Sequence, residues 1–147
     1  MKAFLFILLP LFCFSQEKQK YNIKRAILPA SLSFVSGAAW GLNQTLEHHN
    51  ARFFKVFPNA NPKFWGADSW KNKYNNFDPE QGRNGKLIWL SDGKHLTATI
   101  NQTFAFGAGL TIGLGEKRKW WHYFADAGIS FVGYSLGNAL VYNVIFK

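Results

Sequence analysis

The sequence predicts a mainly α fold: a small helical bundle or hairpin, membrane-embedded or membrane-associated, with an ordered aromatic-rich loop. Three observations carry this expectation. Segment 25–49 repeats Leu28, Leu32, Val35, Ala39, Leu42 and Leu46 at steps of three and four residues, which is helical period. Segments 94–115 and 120–146 are long and almost uncharged, with no charge after His95 in the first and only Asp126 in the second. The composition pairs 18% aromatic with 17% charged residues and a net charge of +9. Basic, aromatic-rich chains suit the membrane interface, where Trp and Tyr sit at headgroup depth and cations meet anionic lipid.

Taken in order, residues 1–15 read as a secretory signal peptide. Lys2 supplies a short positive start, Ala3 to Phe14 an apolar core, and Cys13 and Ser15 the small residues before a cut at Gln16. Residues 16–147 then form a single helical envelope domain. Cys13 is the only cysteine, so the processed chain has no disulfide, thiolate nucleophile or cysteine-based zinc site. Export makes nucleic acid an unsuitable partner for the positive charge. The expected partners are membrane lipid or another envelope protein, in the periplasm or at a membrane, with the oligomeric state left open.

In segment 25–49, Pro29 fits a first helical turn. Gly37 and Gly41 share a face where another backbone can approach closely. Segment 50–86 changes character. Pro58, Pro62 and Pro79, three glycines and many asparagines give turn chemistry. It also carries eight aromatic side chains, from Phe53 to Phe77, which a disordered linker lacks. It reads as an ordered loop with a short helix over 67–74. Trp65, Trp70, Lys71, Lys73 and Tyr74 form its candidate binding surface. Ser91 or Asp92 then caps the helix that follows, because its side-chain oxygen accepts a first-turn N–H.

A competing pattern lies in the second half. In "TFAFGAGLTIGLG", Phe104, Phe106, Leu110, Ile112 and Leu114 alternate with small residues, and the chain ends "VYNVIFK". Period two is the mark of a strand in a small outer-membrane β-barrel, which is the alternative fold. The helical period of segment 25–49 and the lack of alternation in the middle third favour helices.

Three polar pairs interrupt apolar segments and share helix faces: Asn43 with Glu47, Asp92 with His95, and His122 with Asp126. A carboxylate beside a histidine fixes its tautomer and raises its basicity. Asp92, His95, His122 and Asp126 are therefore the candidate catalytic residues. No cofactor is predicted. If the helices bundle, Glu47, His95 and Asp126 give a mixed set that a divalent metal could use. The structural alternatives are a helix cap for Asp92, first-turn packing for His95 and an interfacial anchor for His122 in "KWWHYF". A lone carboxylate in an apolar segment is costly, so Asp126 needs a partner; Lys94, Arg25 and His122 are the candidates. No phosphate-cradling glycine loop and no H-E-x-x-H motif occurs.

With Ser91-Asp92-Gly93-Lys94-His95-Leu96, Asp126 and Gly133 in view, the second half resembles predicted periplasmic lipoproteins and, more distantly, VanZ-like membrane proteins. In this chain the lysine stands directly before the histidine, a departure from their Asp-Lys-x-x-His start. The leader ending Phe-Ser-Gln and "FWGADSWKNKY" are similar to small uncharacterised envelope proteins of Bacteroidetes-type bacteria. The resemblance implies a helical envelope protein and brings no established reaction with it. The expected function is a non-enzymatic structural or interaction role at the membrane. The alternative is a small membrane hydrolase or transferase that acts on lipid or cell-wall precursors through the Asp/His residues.

Overall fold

The computed structural model describes residues 20–85, 87–114 and 117–147, so the segment 1–15 that the sequence predicts as a signal peptide lies outside the described residues. Five α-helices are described: α1 (Lys24–His48), α2 (Asn50–Val56), α3 (Pro62–Trp65), α4 (Gly93–Gly113) and α5 (Trp120–Ala139). A wider π-type turn, Leu140–Ile145, continues α5. Four short 3-10 turns, from Ser69–Lys73 to Ile88–Leu90, order the loop between α3 and α4.

The described residues contain no strand. Tyr74 and Arg83 make an isolated antiparallel bridge only, so the barrel alternative is overturned. Residues 103–113 of the alternating stretch lie in α4 instead. Along α4, Thr97 and Ala108 are buried, with Asn101 and Phe104 half-buried between them. Steps of four, three and four put all four on the face toward α1. Pro29 is also placed differently from expectation, inside α1 and beyond its first turn.

α1 is the central helix. α4 and α5 each pack along it but meet one another little. α5 runs parallel to α1, since Gly133 lies over Ala30, Gly137 over Phe34 and Gly41 over Asn138. α4 runs antiparallel, since Ser36 meets Asn101 and Asn43 meets Thr97. The α1–α5 contact is backbone on backbone. A Cβ at Gly133 would stand 2.6 Å from the Ala30 carbonyl oxygen, and one at Gly41 would stand 2.9 Å from that of Asn138. The α1–α4 contact is stapled by polar groups. Ser36 Oγ donates to the Asn101 carbonyl at 2.9 Å, and Asn101 Nδ2 donates to the Ser36 carbonyl at 3.0 Å. Asn43 Nδ2 donates to the Lys94 carbonyl at 2.7 Å and to Thr97 Oγ1 at 3.0 Å.

Three helices in a layer cannot close an apolar core, and the burial pattern shows the consequence. Among the described residues the buried hydrophobics are Ala26, Leu46, Phe53, Ala108 and Phe146. Leu46, Phe53 and Phe146 form a small cluster, with Trp65 stacked on Phe53 at 5.2 Å. Buried polar and charged residues outnumber them and include Ser36, Asn43, Thr97, Asp92, Arg118, His122 and Asp126. Large apolar side chains face outward on all three long helices. Ile27 is 61% exposed, Phe106 69%, and Phe124 and Phe131 about 70% each.

Candidate functional site

The layer carries a polar cluster at each end. The first stands where α4 begins. Asp92 is the N-cap in extended conformation, and its Oδ1 accepts the His95 backbone N–H at 3.0 Å. Its Oδ2 accepts from His95 Nδ1 at 2.6 Å and from Ser91 Oγ at 2.9 Å. One buried carboxylate thus both caps the helix and orients the imidazole. With Nδ1 bonded to the carboxylate, Nε2 is the acceptor, and Lys73 Nζ stands 3.2 Å from it. Lys73 also lies over the rings of Trp70 and Tyr74, at 5.9 and 5.3 Å. Gly93 leaves room for the Trp65 indole against the first turn of α4, and no side chain larger than hydrogen fits there.

Chemically, this cluster is an oriented imidazole whose one basic lone pair faces a lysine ammonium. The predicted binding residues divide here. Lys73, Trp70 and Tyr74 lie at the cluster, Lys71 pairs with Asp68 at 3.2 Å, and Trp65 belongs to the apolar cluster of Phe53. Glu47, at the end of α1, is exposed. Its expected face-mate Asn43 is engaged with α4 instead.

The second cluster stands at the opposite end, where α1 and α5 begin and α4 ends. Asp126 is 1% exposed. Its Oδ1 accepts from the Tyr21 hydroxyl at 2.6 Å, and its Oδ2 is paired with Arg118 Nη1. Arg118 Nη2 donates to the Ile112 carbonyl at 2.7 Å, and the guanidinium lies 4.5 Å from the centre of the Tyr123 ring. Burial and the hydrogen bond to Asp126 push the Tyr21 phenol up to about 12, so it stays a neutral donor. The expected partners of Asp126 were Lys94, Arg25 and His122. The observed ones are Arg118 and Tyr21. Arg118 stands in the basic break just before α5, so a short return of the chain brings it over the carboxylate. Tyr21 is 105 residues away and left no local signal.

His122 is 3% exposed and packs against the rings of Tyr21 and Trp121. Its Nε2 has no hydrogen-bond partner among the described residues.

The two predicted pairs do not meet. His95 opens α4 and Ile112, which Arg118 bonds, closes it; 17 residues of helix separate them by about 26 Å. A shared site of Asp92, His95, His122 and Asp126 is therefore not assembled, and neither is the metal set Glu47, His95 and Asp126. Among the described residues no group of three or more His, Cys, Asp or Glu side chains is placed to hold a metal ion. No protein-family model matches the chain, and neither does any curated protein or solved structure.

Proposed function

We propose that this chain is a non-enzymatic cell-envelope protein that associates with a membrane through the outward apolar faces of its three-helix layer. The observation that carries this reading is the inverted burial: hydrogen-bonded polar groups inside, large apolar side chains outside. In water that arrangement leaves the main favourable term of folding unused. Against acyl chains it is the expected one, because helix contacts there rest on small residues and interhelical hydrogen bonds. The Gly133/Gly137 contact with α1 and the Ser36–Asn101 pair are of that kind.

No described helix is long and apolar enough to cross a membrane. Asn43 and Thr97 are buried and Asn101 is half-buried against α1, while large apolar side chains such as Ile27, Phe106, Phe124 and Phe131 are exposed. An open apolar groove of about 510 Å³ runs between α1 and α5, lined by Ile23, Ile27, Phe34 and Ile129 among others. Trp120, Trp121, Lys117 and Lys119 flank one end of the layer, as interfacial anchors do.

Flotation with phospholipid vesicles tests the reading. The full chain is expected to float with the vesicles and to stay bound through a high-salt wash, because the contact is apolar. A monodisperse protein that remains entirely in the vesicle-free fraction without detergent would overturn it.

A second reading has one observation in its favour, the Asp92–His95 pair with its buried carboxylate. A hydrolase or transferase would use His95 Nε2 as general base once Lys73 had turned to an anionic substrate. Turnover of lipid or cell-wall precursors by the wild type that is lost in His95→Gln with folding intact would support it. Equal turnover in both would remove it.

A further inference from the structure

The asparagine-rich loop before α4 holds Lys73 against His95. Asn72 Nδ2 donates to the Lys63 carbonyl at 2.6 Å and to the Ser91 carbonyl at 3.0 Å, which ties the Ser69–Lys73 turn to the residue just before the cap. Asn84 adds two further ties. Its Nδ2 donates to the Asn72 carbonyl at 2.7 Å, and its backbone N–H donates to the Lys73 carbonyl at 3.0 Å. The backbone that carries Lys73 is thereby fixed relative to Asp92. Lys73 Nζ stands 3.2 Å from His95 Nε2, and the Trp70 and Tyr74 rings lie 5.9 and 5.3 Å from the same nitrogen. Through its other nitrogen the imidazole bonds Asp92 Oδ2 at 2.6 Å, and that carboxylate is fully buried. Amine, imidazole and carboxylate form one chain of hydrogen bonds, with the basic lone pair of the imidazole toward the amine. A nucleophile within reach of a base that a third group orients is the arrangement that activates weak nucleophiles. Lys73 and His95 are both half-buried, so a small reagent can reach the amine.

We infer that Lys73 is an acylation site: its Nζ takes an acyl group from an activated ester or thioester, with His95 Nε2 as proton acceptor and Asp92 as the group that orients the imidazole. The inference goes beyond the membrane reading and does not rest on it. It also differs from the hydrolase reading, in which His95 serves a substrate and Lys73 moves aside. The attacking species is the neutral amine, formed when the ammonium loses one proton to water. Nζ bonds to the acyl carbonyl carbon, and the bond from that carbon to the leaving oxygen or sulfur breaks. The proton that the nitrogen sheds in becoming an amide passes to His95 Nε2 and then to the leaving group, which departs as an alcohol or thiol. Asp92 holds the accepting tautomer and stabilises the imidazolium formed in between. The amide is uncharged, so the modification removes the Lys73 cation from the Trp70 and Tyr74 rings.

Competitive labelling tests this on the full chain, purified in a neutral detergent. A limiting amount of the N-hydroxysuccinimide ester of acetic acid is added at neutral pH, and acetylation of each lysine is followed by peptide mass spectrometry. Lys71 is the internal reference: it lies in the same turn and faces the same indole at 5.8 Å, but it pairs with the Asp68 carboxylate at 3.2 Å. Lys73 is expected to react at least about tenfold faster than Lys71, which is below the roughly 10²–10⁴-fold that a fully built general-base site contributes. In His95→Gln the side chain keeps an acceptor for Lys73 but takes up no proton, and the Lys73 rate is expected to fall to that of Lys71. Asp92→Asn keeps a capping side chain and removes the carboxylate; it is expected to lower the Lys73 rate and leave the Lys71 rate unchanged. Circular dichroism shows whether each variant is folded. The wild-type ratio of the two rates needs no variant, so it decides even where a variant misfolds. Lys73 reacting no faster than Lys71 in the wild type would overturn the proposal. So would a Lys73 rate unaltered in the folded variants, or a fall that Lys71 shares. None of these outcomes depends on whether the chain binds vesicles.

Discussion

Gly133→Ala tests the close crossing of α1 and α5 directly. The added methyl would lie 2.6 Å from the Ala30 carbonyl oxygen and 3.3 Å from the Ala30 carbonyl carbon. Ordinary contact begins near 3.4 Å, so the helices must part by about 0.8 Å. The clash is with backbone, which no rotamer change relieves. A gap of about 0.5–1 Å forfeits a quarter to a half of the dispersion well for each atom pair along the seam, and overpacking of this kind costs about 1–3 kcal/mol. Alanine also improves helix propensity by up to about 1 kcal/mol over glycine, which would blur the result. Gly128→Ala removes that ambiguity: it lies five residues earlier in the same helix, and its Cβ would meet nothing within 4 Å. The propensity gain is common to both variants, so their difference isolates the clash. Denaturant unfolding in matched detergent micelles, followed by circular dichroism, should find Gly133→Ala less stable than Gly128→Ala by about 1–3 kcal/mol. If the two variants are equally stable, the backbone contact does not exist and the layer is packed differently.

The remaining predictions concern the two polar clusters. Asp92→Ala should lower stability by more than Asp92→Asn, because asparagine caps helices well and alanine does not; the cap alone is worth about 1 kcal/mol, read as the difference between the two unfolding midpoints. Asp126→Ala leaves the Arg118 charge buried without the Asp126 carboxylate and should cost about 3–5 kcal/mol, whereas Glu80→Ala, at an exposed position, should stay within about 0.5 kcal/mol. The raised pKa of Tyr21 makes the folded state hold a proton that the unfolded state loses above its ordinary pKa of about 10. The contribution is therefore complete below pH 10 and is lost as the pH rises through about 12. Tyr21→Phe should be less stable than wild type at pH 8, and the gap between them should shrink toward pH 12. Asp126, Arg118 and His122, which face Tyr21, are unchanged in both proteins, so a pH-independent gap would refute the assignment.

The long helices were legible because their signals are local. Period in segment 25–49, the cap at Asp92 and the charge-free runs each depend on neighbours within a few residues. Even the predicted helix over 67–74 finds a counterpart in the 3-10 turn Ser69–Lys73. The false strand pattern came from glycine and alanine between large side chains, an arrangement that also serves a helix whose small residues meet a neighbour. Nothing local separates the two uses, because both need small residues beside large ones. The answer lay in α1, where Leu32 packs at 3.7 Å from the Cβ position of Gly107.

The candidate residues divide by the same rule. Asp92 and His95 are three apart and joined as their spacing implied. Asp126 was rightly read as needing a partner, since a buried carboxylate in an apolar segment needs compensation. The choice of partner was beyond sequence, because it depended on which end of α4 the chain returned to. An antiparallel α4 carries the chain the length of the layer between His95 and Arg118. Any chemistry at Asp92–His95 therefore proceeds without Asp126, and any ligand at His122 is held without His95. The tests of the two ends are independent. Substitutions at Lys73 or His95 should leave the stability cost of Asp126→Ala unaltered, because sites this far apart with no shared partner contribute additively. Coupling between the ends, read as a changed cost of Asp126→Ala in a His95→Gln background, would mean that α1 transmits strain along the layer, and the picture of two separate clusters would fall.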